Sequence, residues 1–311
     1  MIFQDAWGWY IAIYLFLGGM GGGGMLASYY LAKKANDIKV TSKAALLSLI
    51  IVIVGTLFLI LDLGRPDRFY LVFMSPKLNF GSMITIGSMI LTIFMIFGAL
   101  YVTAINEWFK FLPWYGNKKL ADITGFLAAA FGFLVTYYTG VLIGVVRQIP
   151  IWHTPALPLL FVASALSTGV VAVMWTNVAV GVRSPPAERR YHYEYCVMLS
   201  KWDSALIAIE LLILFTYMGM MIQGPVEAAV AVNRLLFGDL SMLFLGGVVL
   251  MGLAIPFLLE YAHIMGEHGE TEKIGAKCLM PVIAGILVVV GGLLLRYVVL
   301  AVGANTVFLP P

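Results

Sequence analysis

Ionisable residues inside apolar stretches are the first place to look for chemistry in this 311-residue chain. Asp203 and Glu210 are seven residues apart, two helical turns, and so fall on one helix face. Glu260 and His263 are spaced i, i+3, and Arg296 interrupts the last apolar stretch. If those stretches cross a membrane, such groups face the interior of a helix bundle and pair there, or mark a route for protons or ions. Asp203, Glu210, Glu260 and Arg296 are therefore candidates for a proton relay. An arginine–carboxylate pair that only staples helices together accounts for them equally well.

A second set gathers near one end of the apolar stretches. The run Leu61-Asp62-Leu63-Gly64-Arg65-Pro66-Asp67-Arg68-Phe69 places Asp62, Arg65 and Arg68 at i, i+3 spacing, where opposite charges offset one another. Gly64 and Pro66 stop the helix there. The segment reads either as an interfacial helix end that anchors a span or as the electropositive rim of a ligand mouth or docking surface. Tyr138, within Tyr137-Tyr138-Thr139-Gly140, and Tyr14 lie at matched depth in two different stretches. Packing, with each hydroxyl bonded to nearby backbone, accounts for either phenol alone. Two phenols at one depth would also clamp a quinone through its carbonyl oxygens. In Gly18-Gly19-Met20-Gly21-Gly22-Gly23-Gly24, the pairs Gly18/Gly22 and Gly19/Gly23 have the small-x-x-x-small spacing of close helix packing. The missing side chains would alternatively leave room for a flat ligand.

Other chemistries are not expected. The four histidines are His192 and His268 in polar segments, His153 at the outer end of a span and His263 near an inner end. No two share a depth, so a bis-histidine haem is not expected, and no metal-ligand cluster is visible. The two cysteines, Cys196 and Cys278, fall far short of the roughly four ligands of an iron–sulfur cluster. A disulfide between them is not expected either, since both fall on the predicted cytoplasmic side.

The elements that must position these residues follow from composition. The chain is 61% hydrophobic and 11% charged, with mean hydropathy +0.96. Soluble domains carry roughly 25% charged residues, so lipid is the natural solvent here. The net charge of +3 is spread through short segments with no basic run, which argues against nucleic-acid binding. The start of the chain has no basic segment followed by a short apolar run and a small-residue cleavage site, so no signal peptide is expected. A span takes about 20 mostly apolar residues. Eight segments qualify: 6–32, 44–61, 78–106, 123–146, 154–182, 204–226, 240–259, and 278–295 continuing past Arg296. They are apolar nearly all round, and the alternation of a transmembrane β-barrel is absent. The fold class is thus an all-α integral membrane protein of eight transmembrane helices. The longest polar connection, 183–202, reads as a cytoplasmic joint between two halves.

Basic residues give the spans a direction. With the first residue outside, thirteen of the 19 lysines and arginines fall in inner segments: Lys33, Lys34, Lys39, Lys43, Lys110, Lys118, Lys119, Arg183, Arg189, Arg190, Lys201, Lys273 and Lys277. The positive-inside rule then puts both termini on the outer, periplasmic side. Trp7, Trp9 and Tyr10, and Trp108, Trp114 and Tyr115, suit aromatic belts at the two interfaces.

Taken together, the motifs resemble the NrfD/PsrC family, the membrane subunit of polysulfide-reductase-type complexes. The matching pieces are the glycine-rich first span, Leu61-Asp62-Leu63-Gly64-Arg65-Pro66, Tyr138-Thr139-Gly140, Pro150-Ile151-Trp152-His153-Thr154-Pro155 with Pro158-Leu159-Leu160-Phe161, and Gly291-Gly292-Leu293-Leu294-Leu295-Arg296-Tyr297. The resemblance covers essentially the whole chain. It implies two four-helix bundles, residues 1–150 with the quinone site and residues 151–311, in a prokaryotic inner membrane. It implies menaquinone or another quinone bound as substrate, with no haem and no iron–sulfur cluster in this chain. The implied partners, on the outer side, are a ferredoxin-like iron–sulfur subunit and a catalytic subunit of molybdopterin or multihaem type. On the matching positions, Tyr138 is the quinone-bonding tyrosine and Tyr14 stands where relatives place a histidine or another polar group. Ile11 leaves a nearby position apolar. Asp62, Arg65 and His153 lie near the mouth.

Other classes remain open at this stage. Buried carboxylates in eight spans also suit a secondary transporter or an ion or proton channel, although inverted repeats and spans broken at mid-depth are not visible. A purely structural anchor with a degenerate quinone site is the third reading.

Overall fold

The computed structural model describes residues 8–35, 37–62, 81–266 and 278–306. Lipid offers the backbone no hydrogen bonds, so an apolar chain satisfies its amides within helices. The described residues fold accordingly into α1 (Trp9–Ala35), α2 (Ile38–Asp62), α3 (Met83–Ile105), α4 (Lys118–Gly144), α5 (Ala156–Arg183), α6 (Pro186–Ile222), α7 (Val226–Phe237), a π-helical segment (Met242–Ala254) that runs into α8 (Ile255–Met265), and α9 (Leu279–Thr306). Among the described residues, eight helices are long and apolar enough to cross a membrane, with the π-helical segment and α8 counting as one and α7 excluded. The protein is thus an all-α membrane protein of eight spans. Successive spans alternate in direction. Trp9, Asp62, Met83, Gly144, Ala156 and Ile222 mark one end of the bundle, here the entry face. Lys33, Lys39, Lys118, Arg183 and Pro186 mark the opposite face.

The centre of the molecule is built on α1 and α5, the two most buried spans. The glycine run of α1 is filled by neighbouring helices on three sides. A Cβ on Gly21 would lie 2.5 Å from a Val52 methyl of α2, one on Gly22 would lie 2.5 Å from the Gly132 carbonyl of α4, and one on Gly23 would overlap the Ala165 carbonyl of α5. Close packing is therefore the role of Gly21, Gly22 and Gly23, and no flat ligand fits among them.

Three features depart from the sequence reading. The segment 183–202 is not a joint. Only Ser184 and Pro185 separate α5 from α6, and Pro186 opens α6 in the first helical turn, where its missing N–H costs nothing. The 37 residues of α6 span about 55 Å at 1.5 Å per residue, beyond the roughly 30 Å hydrocarbon core. Its first turns therefore stand outside the apolar slab, which is why they read as a polar connection. His192, expected in a loop, is instead buried on α6. Its Nδ1 lies 2.9 Å from Asn177 Oδ1 and its Nε2 3.1 Å from Ser184 Oγ, while Asn177 Nδ2 donates to the His192 carbonyl at 2.8 Å. These bonds lace the ends of α5 and α6 together. Nearby, Cys196 and Cys278 are both buried and unbridged.

The second departure is α7, a short helix between the sixth and seventh spans. It buries Ala228, Ala231, Val232 and Leu235 at i, i+3, i+4, i+7, the spacing of one helix stripe. Arg234 closes its end with a bidentate bond to Asp239, at 3.0 and 2.5 Å. That guanidinium holds the Asp239 carboxyl below the usual carboxylate range. The third departure is the π-helical form of the seventh span, which hydropathy does not register. It reverts to α-helix at Ile255, beside Pro256, whose lack of an N–H interrupts the bonding ladder. Gly252 in this segment meets Gly291 of α9 so closely that a Cβ on either would come within 2.6 Å of the other's Cα.

Candidate functional site

Two polar clusters lie inside this apolar bundle. The first is the phenol pair near the entry face. Tyr14, on α1, is wholly buried, and its hydroxyl has no hydrogen-bond partner among the described residues. Tyr138, on α4, is also buried, and its hydroxyl donates to the Met83 carbonyl at the start of α3, at 2.9 Å. The two phenols are close enough to interact electrostatically. Gly18 sits between their helices: a Cβ there would lie 3.7 Å from Tyr14 Cε2 and 3.8 Å from Thr139 Cγ2. The Tyr138 ring crosses α3 over Gly87, where a Cβ would overlap Tyr138 Cζ, so a glycine is required at that position.

Two further members of the expected quinone set, Asp62 and His153, are at the same end. Asp62 is the last residue of α2 and half-buried. Arg65 lies outside the described residues. His153 is exposed, and its Nδ1 lies 2.8 Å from the Gly144 carbonyl at the end of α4. Its segment, residues 145–155, is held from both sides. Trp152 Nε1 donates to the Val299 carbonyl of α9 at 2.7 Å, and Tyr217 of α6 donates to the Ile151 carbonyl at 2.6 Å. Trp9 stacks on Tyr297 of α9 with ring centroids 3.9 Å apart. The structure thus brings Tyr14 and Tyr138 together. Asp62 and His153 share their end of the bundle without bonding to either phenol.

The second cluster contains all four residues expected in the relay. Asp203, Glu210, Glu260 and Arg296 are buried, as is His263. They come from α6, α8 and α9, and hydroxyls of α5 and α6 link them. Ser167 donates to Asp203 Oδ1 at 2.5 Å and Ser204 to Glu260 Oε2 at 2.9 Å. The Asp203 and Glu260 carboxyls lie against each other, and Asp203 Oδ2 and Glu260 Oε1 find no donor among the described residues. Glu210 approaches Ser164 and feels the charge of Arg296. Arg296 Nη1 donates to Ser164 Oγ at 2.9 Å and to the Gly292 carbonyl at 2.7 Å, and Nη2 reaches the Phe161 carbonyl at 3.4 Å. The Phe16 and Phe161 rings flank the guanidinium at 5.5 and 5.2 Å. The arginine therefore meets Glu210 through a serine and does not grip it as a direct ion pair.

Ser164, Ser167 and Ser204 were not expected members of this cluster. Their signal in the sequence is faint, since a serine inside a helix commonly bonds only its own preceding turn. The order of residues along α6, α8 and α9 makes the cluster a ladder. It begins with His263 and Glu260 toward the opposite face, passes Asp203 and then Glu210, and ends at Arg296. The ladder adjoins the phenol pair across α1: a Cβ on Gly19 would lie 3.4 Å from Arg296 Nη2, while Gly18, one residue before, faces Tyr14 and Thr139.

Comparison with known proteins finds relatives along nearly the whole sequence. Residues 3–308 match the family model described as polysulphide reductase, NrfD. The C chain of polysulfide reductase from Wolinella succinogenes is 30% identical, over 97% of this protein and 95% of its own length. Protein NrfD of Escherichia coli is 27% identical over 97% of this protein and 96% of its own length. The C subunit of selenate reductase from Mesobacillus selenatarsenatis is 22% identical over 88% and 72%.

Proposed function

The chain belongs to the polysulphide reductase NrfD family, and we propose that it is the membrane-anchor, quinone- or quinol-reactive subunit of a respiratory oxidoreductase complex. Relatives named as components of a polysulfide reductase and a selenate reductase support the membership of a reductase complex. The observation that carries the quinone reading is the Tyr14 hydroxyl, buried beside Tyr138 without a partner among the described residues. A buried hydroxyl left unpaired costs about 1–3 kcal/mol, so it calls for a ligand that pairs with it. Tyr138 commits its proton to Met83 and keeps lone pairs free, while Tyr14 keeps its proton free. One donor and one acceptor side by side suit a quinone carbonyl and a quinol hydroxyl respectively.

Charge balance shapes the rest of the reading. Oxidising a quinol yields two electrons and two protons. The electrons pass to an iron–sulfur partner docked at the entry face, and on to a catalytic subunit of molybdopterin or multihaem type. Asp62 and His153 form the rim where quinone and that partner meet. The protons leave past Asp62, or cross by the ladder of Arg296, Glu210, Asp203 and Glu260. One proton held between the Asp203 and Glu260 carboxyls would satisfy both of their unpaired oxygens, as in a carboxyl pair sharing a site. The distribution of basic residues supports an outward entry face, with both termini in the periplasm. The division into residues 1–150, carrying the phenols, and 151–311, carrying the ladder, belongs to the same proposal. The multi-pass protein would thus sit in the inner membrane of a prokaryote.

An affinity-tagged form, purified from its own membrane in mild detergent, is expected to bring subunits whose iron–sulfur absorbance bleaches on adding a quinol. Isolation of the tagged protein alone, together with solute transport on reconstitution, would favour a transporter instead.

A further inference from the structure

A groove of about 600 Å³ runs through the half of the bundle that ends at Lys33. It lies between α1, α4, α5 and α6. Its deep end is at Gly23 and Leu166, its walls include Ala130 and Ala205, and its mouth is at Lys33 and Trp202. From Gly23 to Lys33 is ten residues of α1, about 15 Å. That is half of the roughly 30 Å hydrocarbon core, the depth of one leaflet. The deep end is apolar and closed where α1 and α5 touch backbone to backbone. Nothing there bonds a quinone carbonyl.

The mouth has different chemistry. Lys33 pairs with Asp122 at 2.7 Å and lies 5.7 Å from the centre of the Tyr29 ring. Lys34 lies over both the Tyr30 and Trp202 rings, at 5.9 and 5.4 Å, and those rings meet edge to face at 5.0 Å. Two lysines against one aspartate leave the mouth cationic, and the aromatic side chains suit the interface.

We propose that this groove is a binding site for one anionic phospholipid of the leaflet at the Lys33 end, with an acyl tail along the alanine walls and the phosphate at Lys33 and Lys34. The length of the groove matches a single leaflet, its walls match an acyl tail, and the charge at its mouth matches a phosphate. A basic residue near an anionic lipid surface strengthens binding about fivefold.

The test uses the complex as purified from its membrane. It is delipidated in detergent and titrated with phosphatidylglycerol or phosphatidylcholine of equal tail length, with bound lipid counted by native mass spectrometry. One tightly held phosphatidylglycerol is expected, retained at least about fivefold better than phosphatidylcholine. The double variant Lys33→Gln, Lys34→Gln should lose that preference. Ala130→Phe, which fills the wall, should lose the lipid altogether. Equal retention of the two lipids by the unaltered complex would overturn the proposal without recourse to any variant. So would an unchanged preference in the double variant, or recovery of a quinone in place of phospholipid from the groove.

Discussion

Replacing Arg296 with methionine is expected to destabilise the protein by about 1–3 kcal/mol, the cost of leaving the buried groups it bonds without a donor. The guanidinium is fully buried, bonds Ser164, Gly292 and Phe161, and is the positive charge nearest Glu210. Methionine fills much of the space between Phe16 and Phe161 and leaves Glu210 facing an orphaned serine. Arg296→Lys keeps the charge but cannot reach Ser164 and the two carbonyls at once, so it should fall between the two. The sharper check is the cycle with Glu210→Gln. Removing both charges should recover part of the loss, and a coupling above about 0.5 kcal/mol in thermal unfolding of the detergent-solubilised complex measures their interaction. Additive effects would mean that the two residues do not act together.

The second large effect is expected at the carboxyl pair. Glu260→Gln should leave the fold intact, because the amide can donate to Asp203 and still accept from Ser204. It cannot pass a proton on. If the protons cross by the ladder, quinol-driven turnover of the complex in sealed vesicles should fall by about two orders of magnitude, the lower range of what a positioned proton-transfer group supplies. Glu210→Gln should behave alike. The partner's activity with an artificial electron donor that bypasses the membrane should be retained. If both glutamine variants keep their turnover and their proton translocation, the ladder carries no protons and serves only to join helices.

How much of this could be read in the sequence depends on the kind of signal. Charged residues inside apolar runs stand out, so Asp203, Glu210, Glu260 and Arg296 were legible as a group before any coordinates. Their pattern of bonding was not. The serines that join them look like ordinary helix serines, and the approach of Glu260 to Asp203 depends on how α8 packs against α6. The eight spans were legible because hydropathy reports burial in lipid. The first turns of α6 were not, because polar residues on a helix that leaves the membrane have the composition of a loop. The π-helical segment was invisible for a related reason: composition does not record which amide bonds which carbonyl. Tyr14 and Tyr138 were legible as a pair by matched depth. That Tyr138 is bonded to Met83 and Tyr14 is not depends on a contact across 55 residues and on the bare surface of Gly87.

That difference between the phenols gives the most direct test of quinone binding. Tyr14→Phe removes one hydroxyl that bonds none of the described residues, so the complex should unfold at the same temperature or slightly higher. Quinol oxidation by the assembled complex should lose up to about tenfold in kcat/KM, the worth of one hydrogen bond to the substrate. Unchanged quinol kinetics in Tyr14→Phe would contradict the account, as would a loss of activity that merely followed a loss of stability.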